Sequence, residues 1–201
     1  MITGDPNQPP MLVEKPTYSG SLAYLQPTGT SLVGVESDDN GLIPASLEKI
    51  LSNWETDHPK LQDPIRPKVL YTIPTGSNPT GASLTLARKK EIYQIAQTYN
   101  LIILEDDPYY WMQFVKDTNF KKGNEDVKKD CRTPSFMSMD VDGRVLRFDS
   151  FSKLLSSGIR VRFVTGPPEL VERIEYHAQA SVLHSSGISQ ALVSGLFDQW
   201  R

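Results

Sequence analysis

The chain has 201 residues, of which 38% are apolar and 9% aromatic, with 13 Gly, 15 Pro and a formal net charge of −3 from 24 acidic and 21 basic side chains. At ~150 residues per domain this is one large domain, or a domain and a fragment, and the near-balanced charge excludes the basic footprint of a nucleic-acid binder. No apolar run approaches the ~20 residues of a membrane helix, and the single Cys131 cannot close an internal disulfide, which fits a reducing compartment.

The first ten residues, MITGDPNQPP, have neither the apolar centre of a signal peptide nor the Arg/Ser-rich pattern of a transit sequence. Met11-Leu-Val13 and the alternating Ser31-Leu-Val-Gly-Val35 predict strands, with a short helix between them from Tyr18 to Leu25. Ala45 to Trp54 is helical in pattern, with Leu47, Ile50 and Leu51 on one face, and the Pro-rich stretch Thr56 to Lys68 reads as a surface loop. Val69-Leu-Tyr-Thr-Ile73 is a β-branched strand candidate closed by Pro74 and followed by the turn segment Thr75 to Gly81. Ile92, Ile95, Ala96 and Tyr99 recur at helical spacing from about Thr85 to Asn100, and Leu101-Ile-Ile-Leu104 forms an apolar strand running into Glu105-Asp-Asp-Pro108. Strand, helix, strand at this spacing is a βαβ unit with parallel strands.

The charged, aperiodic stretch from about 115 to 130 reads as a surface insertion. Val145-Leu-Arg-Phe148 and Val161-Arg-Phe-Val164 predict two further strands. Helices follow at about Pro168 to Ala178 and Ser189 to Trp200, the last one cut off by the end of the chain. The whole predicts an α/β fold, a mostly parallel sheet with helices on both faces. Trp111 and Phe114 suit core or subunit-interface packing, and His58, His177 and His184 lack ligand spacing, so no metal site is expected.

Open α/β sheets bind ligands outside the carboxyl ends of their strands. Three polar clusters fall there: Ser77-Asn-Pro79, Asp106 to Tyr110, and Asp149-Ser-Phe-Ser-Lys153 with Arg160 seven residues on. Singly, each has a commoner use: a solvated lysine in a loop, an aspartate capping a turn, a tyrosine packed in a wall, an Asn-Pro turn. Together they supply more. Ser150, Ser152 and Arg160 offer donors for a phosphate dianion; Lys153 offers an amine for a carbonyl; Asp106 offers a carboxylate for a protonated ring nitrogen. Tyr109 and Asn78 add donors for a phenolate oxygen. That constellation is a pyridoxal 5′-phosphate site.

On five motifs in order, Lys15-Pro-Thr-Tyr-Ser-Gly20, Tyr71-Thr-Ile-Pro74, Ser77-Asn-Pro-Thr-Gly81, Glu105-Asp-Asp-Pro-Tyr-Tyr110 and Ser150-Phe-Ser-Lys153 with Gly158-Ile-Arg160, the chain resembles the fold-type-I, class I/II aminotransferases. Within them it is most similar to the kynurenine/α-aminoadipate group. The resemblance implies that Lys153 is catalytic, holding the cofactor as an imine and then moving the proton between the amino acid Cα and the cofactor. It implies that Asp106 keeps the ring nitrogen protonated, that Tyr109 and Asn78 bond the phenolate oxygen, and that Tyr18 stacks on the ring. Ser150, Ser152 and Arg160 bind the phosphate, and Asn78 also meets the substrate carboxylate.

The implied activity is transfer of an amino group from kynurenine, 2-aminoadipate or an aromatic amino acid to a 2-oxo acid such as 2-oxoglutarate. The alternative is a truncated, cofactor-binding but inactive relative; a lyase-type cousin shares the motifs. A homodimer and an intracellular setting, cytoplasm or mitochondrial matrix, go with the resemblance.

Three departures accompany it. Residues 1–201 correspond to an incomplete large, cofactor-binding domain, lacking the N-terminal arm with its glycine-containing phosphate loop and the small C-terminal domain with its carboxylate-clamping arginine. A sheet edge or apolar face left uncovered makes a monomer poorly stable. And Arg162 stands where the family usually has a small residue; it either crowds the start of its strand or, the preferred expectation, points to solvent.

Overall fold

The structure is a computed structural model that describes residues 8–57, 65–113 and 132–200. Seven strands form one sheet: β1 (Met11–Lys15), β2 (Leu32–Asp38), β3 (Gly41–Leu42), β4 (Val69–Thr72), β5 (Ile102–Asp106), β6 (Val145–Ser150) and β7 (Arg162–Thr165), in the order β3-β2-β1-β4-β5-β6-β7. The five central strands β2, β1, β4, β5 and β6 are parallel; β3 and β7 close the two edges antiparallel. Because the chain goes outward from β1 to β2 and then restarts at β4 on β1's other side, the order reverses between β1 and β4. A crevice opens at the carboxyl ends of such strands.

Helices α1 (Ser19–Leu25), α2 (Pro44–Ser52), α3 (Trp54–Asp57), α4 (Leu86–Thr98), α5 (Pro168–Ser181) and α6 (Gly187–Gln199) complete the fold. The period-2 alternation of the strands divides the apolar side chains between two cores. On one face Leu12, Val35, Leu70, Ile103 and Val145 pack against Leu47 and Leu51 of α2 and Ile92, Tyr93, Ile95 and Ala96 of α4. On the other, Met11, Val13, Tyr71 and Ile73 pack with Leu25 of α1. Helix α4 starts on Thr85, whose hydroxyl accepts the Arg88 N–H at 3.3 Å, as an N-cap should. It is followed at Asn100 by a left-handed residue, φ 53°, a position Asn tolerates better than most.

Several boundaries depart from expectation. Strand β2 runs on to Asp38, because Gly41 at φ 84° lets the chain turn back as β3. The helix expected over 45–54 is α2, ending at Ser52, and the loop expected from Thr56 begins inside α3. Helix α6 runs to Gln199, and the N–H of Trp200 bonds back to the Phe197 carbonyl at 3.2 Å. Trp111 is no core residue; it is half exposed, with the Arg132 guanidinium 4.2 Å from its ring. Ile188, Leu192 and Phe197 of α6 are exposed apolar side chains. The insertion at 115–130, Cys131, His58 and Phe114 lie outside the described residues. No described helix is long and apolar enough to cross a membrane.

Candidate active site

A cleft of about 900 Å³ opens at the carboxyl edge of the sheet and is lined by Tyr18, Asn78, Asp106, Tyr109, Ser150, Ser152, Lys153 and Arg160, together with Tyr71, Arg162 and apolar wall residues. All eight residues singled out in the sequence are therefore in one cavity.

Asp106 is the last residue of β5, not the first beyond it. Strand pleating sends Glu105 and Asp107 to the helix α4 side and Asp106 alone to the cleft; the first two are fully buried, and Asp106 is half-buried. The Tyr71 hydroxyl, on the neighbouring strand and the same face, donates to Asp106 Oδ2 at 2.6 Å, and Ser21 Oγ of α1 donates to Tyr71 Oη at 2.8 Å. Burial pushes the Asp106 carboxyl up from its ordinary value; the Tyr71 hydrogen bond and then the positive charge of Arg162 pull it back, while Asp149 opposes them. Burial and the Asp106 charge hold the Tyr71 phenol far above its usual range, so it remains a donor.

Lys153 lies in the turn after β6, where the N–H groups of Leu154 and Leu155 close back onto the Phe151 carbonyl at 3.2 and 2.9 Å. Its Nζ sits 5.3 Å from the centre of the Tyr109 ring. The Ser150 hydroxyl accepts the Ser152 N–H at 3.2 Å, and Arg160 Nη1 donates to Ser152 Oγ at 3.3 Å and to the Ser157 carbonyl at 3.1 Å. Arg160 itself is left-handed, φ 52°, a conformation costing about 1–2 kcal/mol in a side-chain-bearing residue. That turn returns the chain as β7 and gathers two hydroxyls and a guanidinium at one end of the cleft.

Asn78 is carried by the turn after β4, and that turn is pinned from below by Glu14 of β1. The Glu14 carboxylate accepts the Thr72 hydroxyl, the Ile73 N–H at 3.2 Å and the Ser77 hydroxyl at 2.8 Å. Burial raises the Glu14 carboxyl, and these three donors act against the rise.

Behind the sheet, a buried ionic cluster supports the same strand ends. Arg147 makes a two-pronged pair with Asp149, 2.7 and 2.8 Å, and lies 3.8 Å from Glu105 and 3.7 Å from Asp107. Glu105 accepts the Phe136 and Met137 N–H groups at 2.7 and 3.0 Å. Among the described residues Asp107 accepts only the Thr75 hydroxyl, at 3.1 Å, and its Oδ1 has no hydrogen-bond partner. Burial first, and the Glu105 charge second, push Asp107 up to about 7.

Tyr71, Ser21 and Glu14 were not among the sequence candidates. Tyr71 carried no signal of its role: only the register of β4 on β5, with Tyr71 beside Leu104, puts it on the face Asp106 uses. Arg162 is exposed, as expected, and it also lines the cleft.

The donor set fits a phosphorylated pyridine. Ser150, Ser152 and Arg160 offer donors for a phosphate, Asp106 a partly buried carboxylate held by a phenol, and Lys153 an amine, all within one cleft whose volume is in the range of cofactor pockets. The profile of aminotransferase class I and II matches residues 3–200, and the chain belongs to that family. It is 50% identical over 190 residues to the mitochondrial kynurenine/α-aminoadipate aminotransferase of Bos taurus, covering 94% of this chain and 41% of that protein. Among solved structures it is similar to aminotransferase Aro8 from Candida albicans, with TM-score 0.83 and 38% identity over 96% of this chain and 40% of that one. It is also similar to α-aminoadipate aminotransferase from Thermus thermophilus, complexed with N-(5′-phosphopyridoxyl)-L-leucine, with TM-score 0.79 and 27% identity over 98% and 44% of the two chains. The chain thus spans about two fifths of the length of the relatives it matches.

Proposed function

We propose that this chain is the cofactor-binding part of a pyridoxal 5′-phosphate-dependent aminotransferase that moves an amino group from kynurenine, 2-aminoadipate or an aromatic amino acid to a 2-oxo acid such as 2-oxoglutarate. The observation that supports the reading is that Lys153 and Asp106 line one cleft together with Ser150, Ser152 and Arg160. When bound, the protonated pyridine ring supplies an electron sink for the electron pair left on the amino acid Cα.

The chain's residues supply the rest. The Lys153 amine would hold the cofactor at its carbonyl carbon, with loss of water, and would be the group that accepts and delivers the substrate Cα proton. The Asp106 carboxylate holds the proton on the ring nitrogen, oriented by Tyr71 and Ser21. Tyr109 and Asn78 donate toward the phenolate oxygen, and Asn78 also toward the substrate carboxylate. The Tyr18 ring covers one face, while Ser150, Ser152 and Arg160 hold the phosphate dianion. Walls such as Ile73, Leu104 and Phe148 exclude water on one side, which strengthens the Asp106 pairing. A homodimer belongs to the same proposal. So does an intracellular setting, supported by the mitochondrial naming of the bovine relative.

The test uses the purified chain with added pyridoxal phosphate. An absorbance band of bound cofactor that Lys153→Ala abolishes, and that aminoadipate or kynurenine then bleaches, is the expected result. A band that neither amino acid changes points to the binding-only alternative, and no band overturns the cofactor site.

A further inference from the structure

Three turns carry residues of the cleft: Asn78 follows β4, Tyr109 follows β5 and Lys153 follows β6. All three are tied, from the other face of the sheet, to one buried guanidinium. Phe148 of β6 lines the cleft, so Arg147, one residue earlier, projects to the opposite face, beside Glu105 of β5. Its Nε and Nη2 donate to the two oxygens of Asp149 at 2.7 and 2.8 Å, and Asp149 leads directly into Ser150 and the Lys153 turn. Its guanidinium carbon lies 4.2 Å from the centre of the Tyr110 ring, next in sequence to Tyr109. Its Nη1 stands 3.7 Å from Asp107 Oδ2, the same oxygen that accepts the Thr75 hydroxyl at 3.1 Å, and Thr75 opens the turn that bears Asn78.

Only a guanidinium can make these contacts at once. One edge of its planar fork holds a carboxylate, a third nitrogen remains for another acid, and its flat face stacks on an aromatic ring. An ammonium supplies the charge without the fork or the face. Among the described residues Lys89 is the other buried cation, and its Nζ donates to the Pro134 carbonyl at 2.9 Å, away from the three turns. A buried ion pair is a poor way to stabilise a fold, since apolar side chains of similar volume do as well or better. What the Arg147 contacts add is a fixed distance between turns that belong to three different strands.

We propose that Arg147 is a positioning residue of the cleft: by holding Asp149, Tyr110 and Asp107 around one guanidinium it sets the relative placement of Lys153, Tyr109 and Asn78. The placement concerns the ligand-free cleft and stands alone; its effect on cofactor binding rests on the proposed function.

The experiment compares the full chain with Arg147→Lys, which keeps the charge, and with the double variant Arg147→Met and Asp149→Asn, which removes one charge of each sign and leaves no new unpaired ion. Hydrogen exchange without ligand follows one amide in each turn: Ser77, bonded to the Ala82 carbonyl, Asp107, bonded to the Phe148 carbonyl, and Leu155, bonded to the Phe151 carbonyl. The amide of buried Leu101, bonded to the Ala96 carbonyl between α4 and β5, reports opening of the core. In both variants the three turn amides are expected to exchange about tenfold faster relative to Leu101. Equal acceleration at all four amides, or none, overturns the proposal, because a merely structural contribution moves them together. Titration with pyridoxal phosphate is expected to show binding about tenfold weaker in Arg147→Lys, although every residue lining the cleft is retained, and unchanged affinity overturns the effect on the cofactor. Selective acceleration of the turns with no uptake of pyridoxal phosphate even by the wild type supports the positioning role and overturns the cofactor reading instead.

Discussion

The hydroxyl of Tyr71 and the carboxylate of Asp106, on adjacent parallel strands, are joined by a 2.6 Å hydrogen bond within the cleft. A hydrogen bond to a charged group contributes about 1.5–3 kcal/mol, and this one stabilises the ionised aspartate that a ring nitrogen would pair with. Tyr71→Phe is expected to weaken pyridoxal phosphate binding roughly tenfold or more, read by absorbance titration. Chain stability should change far less, because the ring stays in its apolar cluster.

Glu14 ties three donors of the β4 turn to β1. Glu14→Ala leaves them without an acceptor under the sheet, and each buried donor left unpaired costs about 1–3 kcal/mol. Urea unfolding should show a loss of about 2–4 kcal/mol, and hydrogen exchange at Ile73 should accelerate beyond the global change.

Asp107 sets a pH dependence. Its carboxyl titrates near 4 in an unfolded chain but at about 7 in the fold. Between those values the folded chain keeps a proton that the unfolded chain has released, so stability falls as pH rises from about 4 to about 7 and levels off above. Asp107→Asn removes this contribution. From pH 5 to 7 the wild type should lose about 2–3 kcal/mol more than the variant, measured by denaturant unfolding at each pH.

Core and surface positions separate cleanly on the helices. Ile92 of α4 is fully buried among the first core cluster, whereas Leu192 of α6 is largely exposed. Ile92→Ala should cost about 2–5 kcal/mol and Leu192→Ala within about 0.5 kcal/mol, compared by thermal or urea unfolding.

Much of the fold was legible because its signals are local. Apolar runs at Val69–Ile73 and Leu101–Leu104, with the 3.6-residue spacing of Ile92, Ile95 and Ala96, mark a βαβ unit before any contact is known. The cleft residues were legible because they cluster at strand ends. What escaped depends on pairing between strands distant in sequence. Glu14 lies 63 residues from Ser77 and Tyr71 lies 35 from Asp106, so neither bond leaves a trace in spacing. The place of Arg162 in the cleft escaped for the same reason: only the antiparallel register with Ser150 decides which side of β7 it takes. The two-residue β3 has too little sequence to carry a pattern and exists because Gly41 turns the chain.

Two acids end β5 and a third follows it, and the alternation of the pleat assigns them to opposite compartments: Glu105 and Asp107 to the packed interior, Asp106 to the cavity. Losing one amino acid from that strand would swap the compartments, pressing the ligand-facing acid into the buried ionic cluster behind and turning a structural acid toward the ligand. Such a lesion would damage folding and chemistry in a single event, while side-chain replacements at 105 and 106 can be selected almost independently. Natural variation along β5 should therefore consist of substitutions, with insertions and deletions displaced to the loops beyond it.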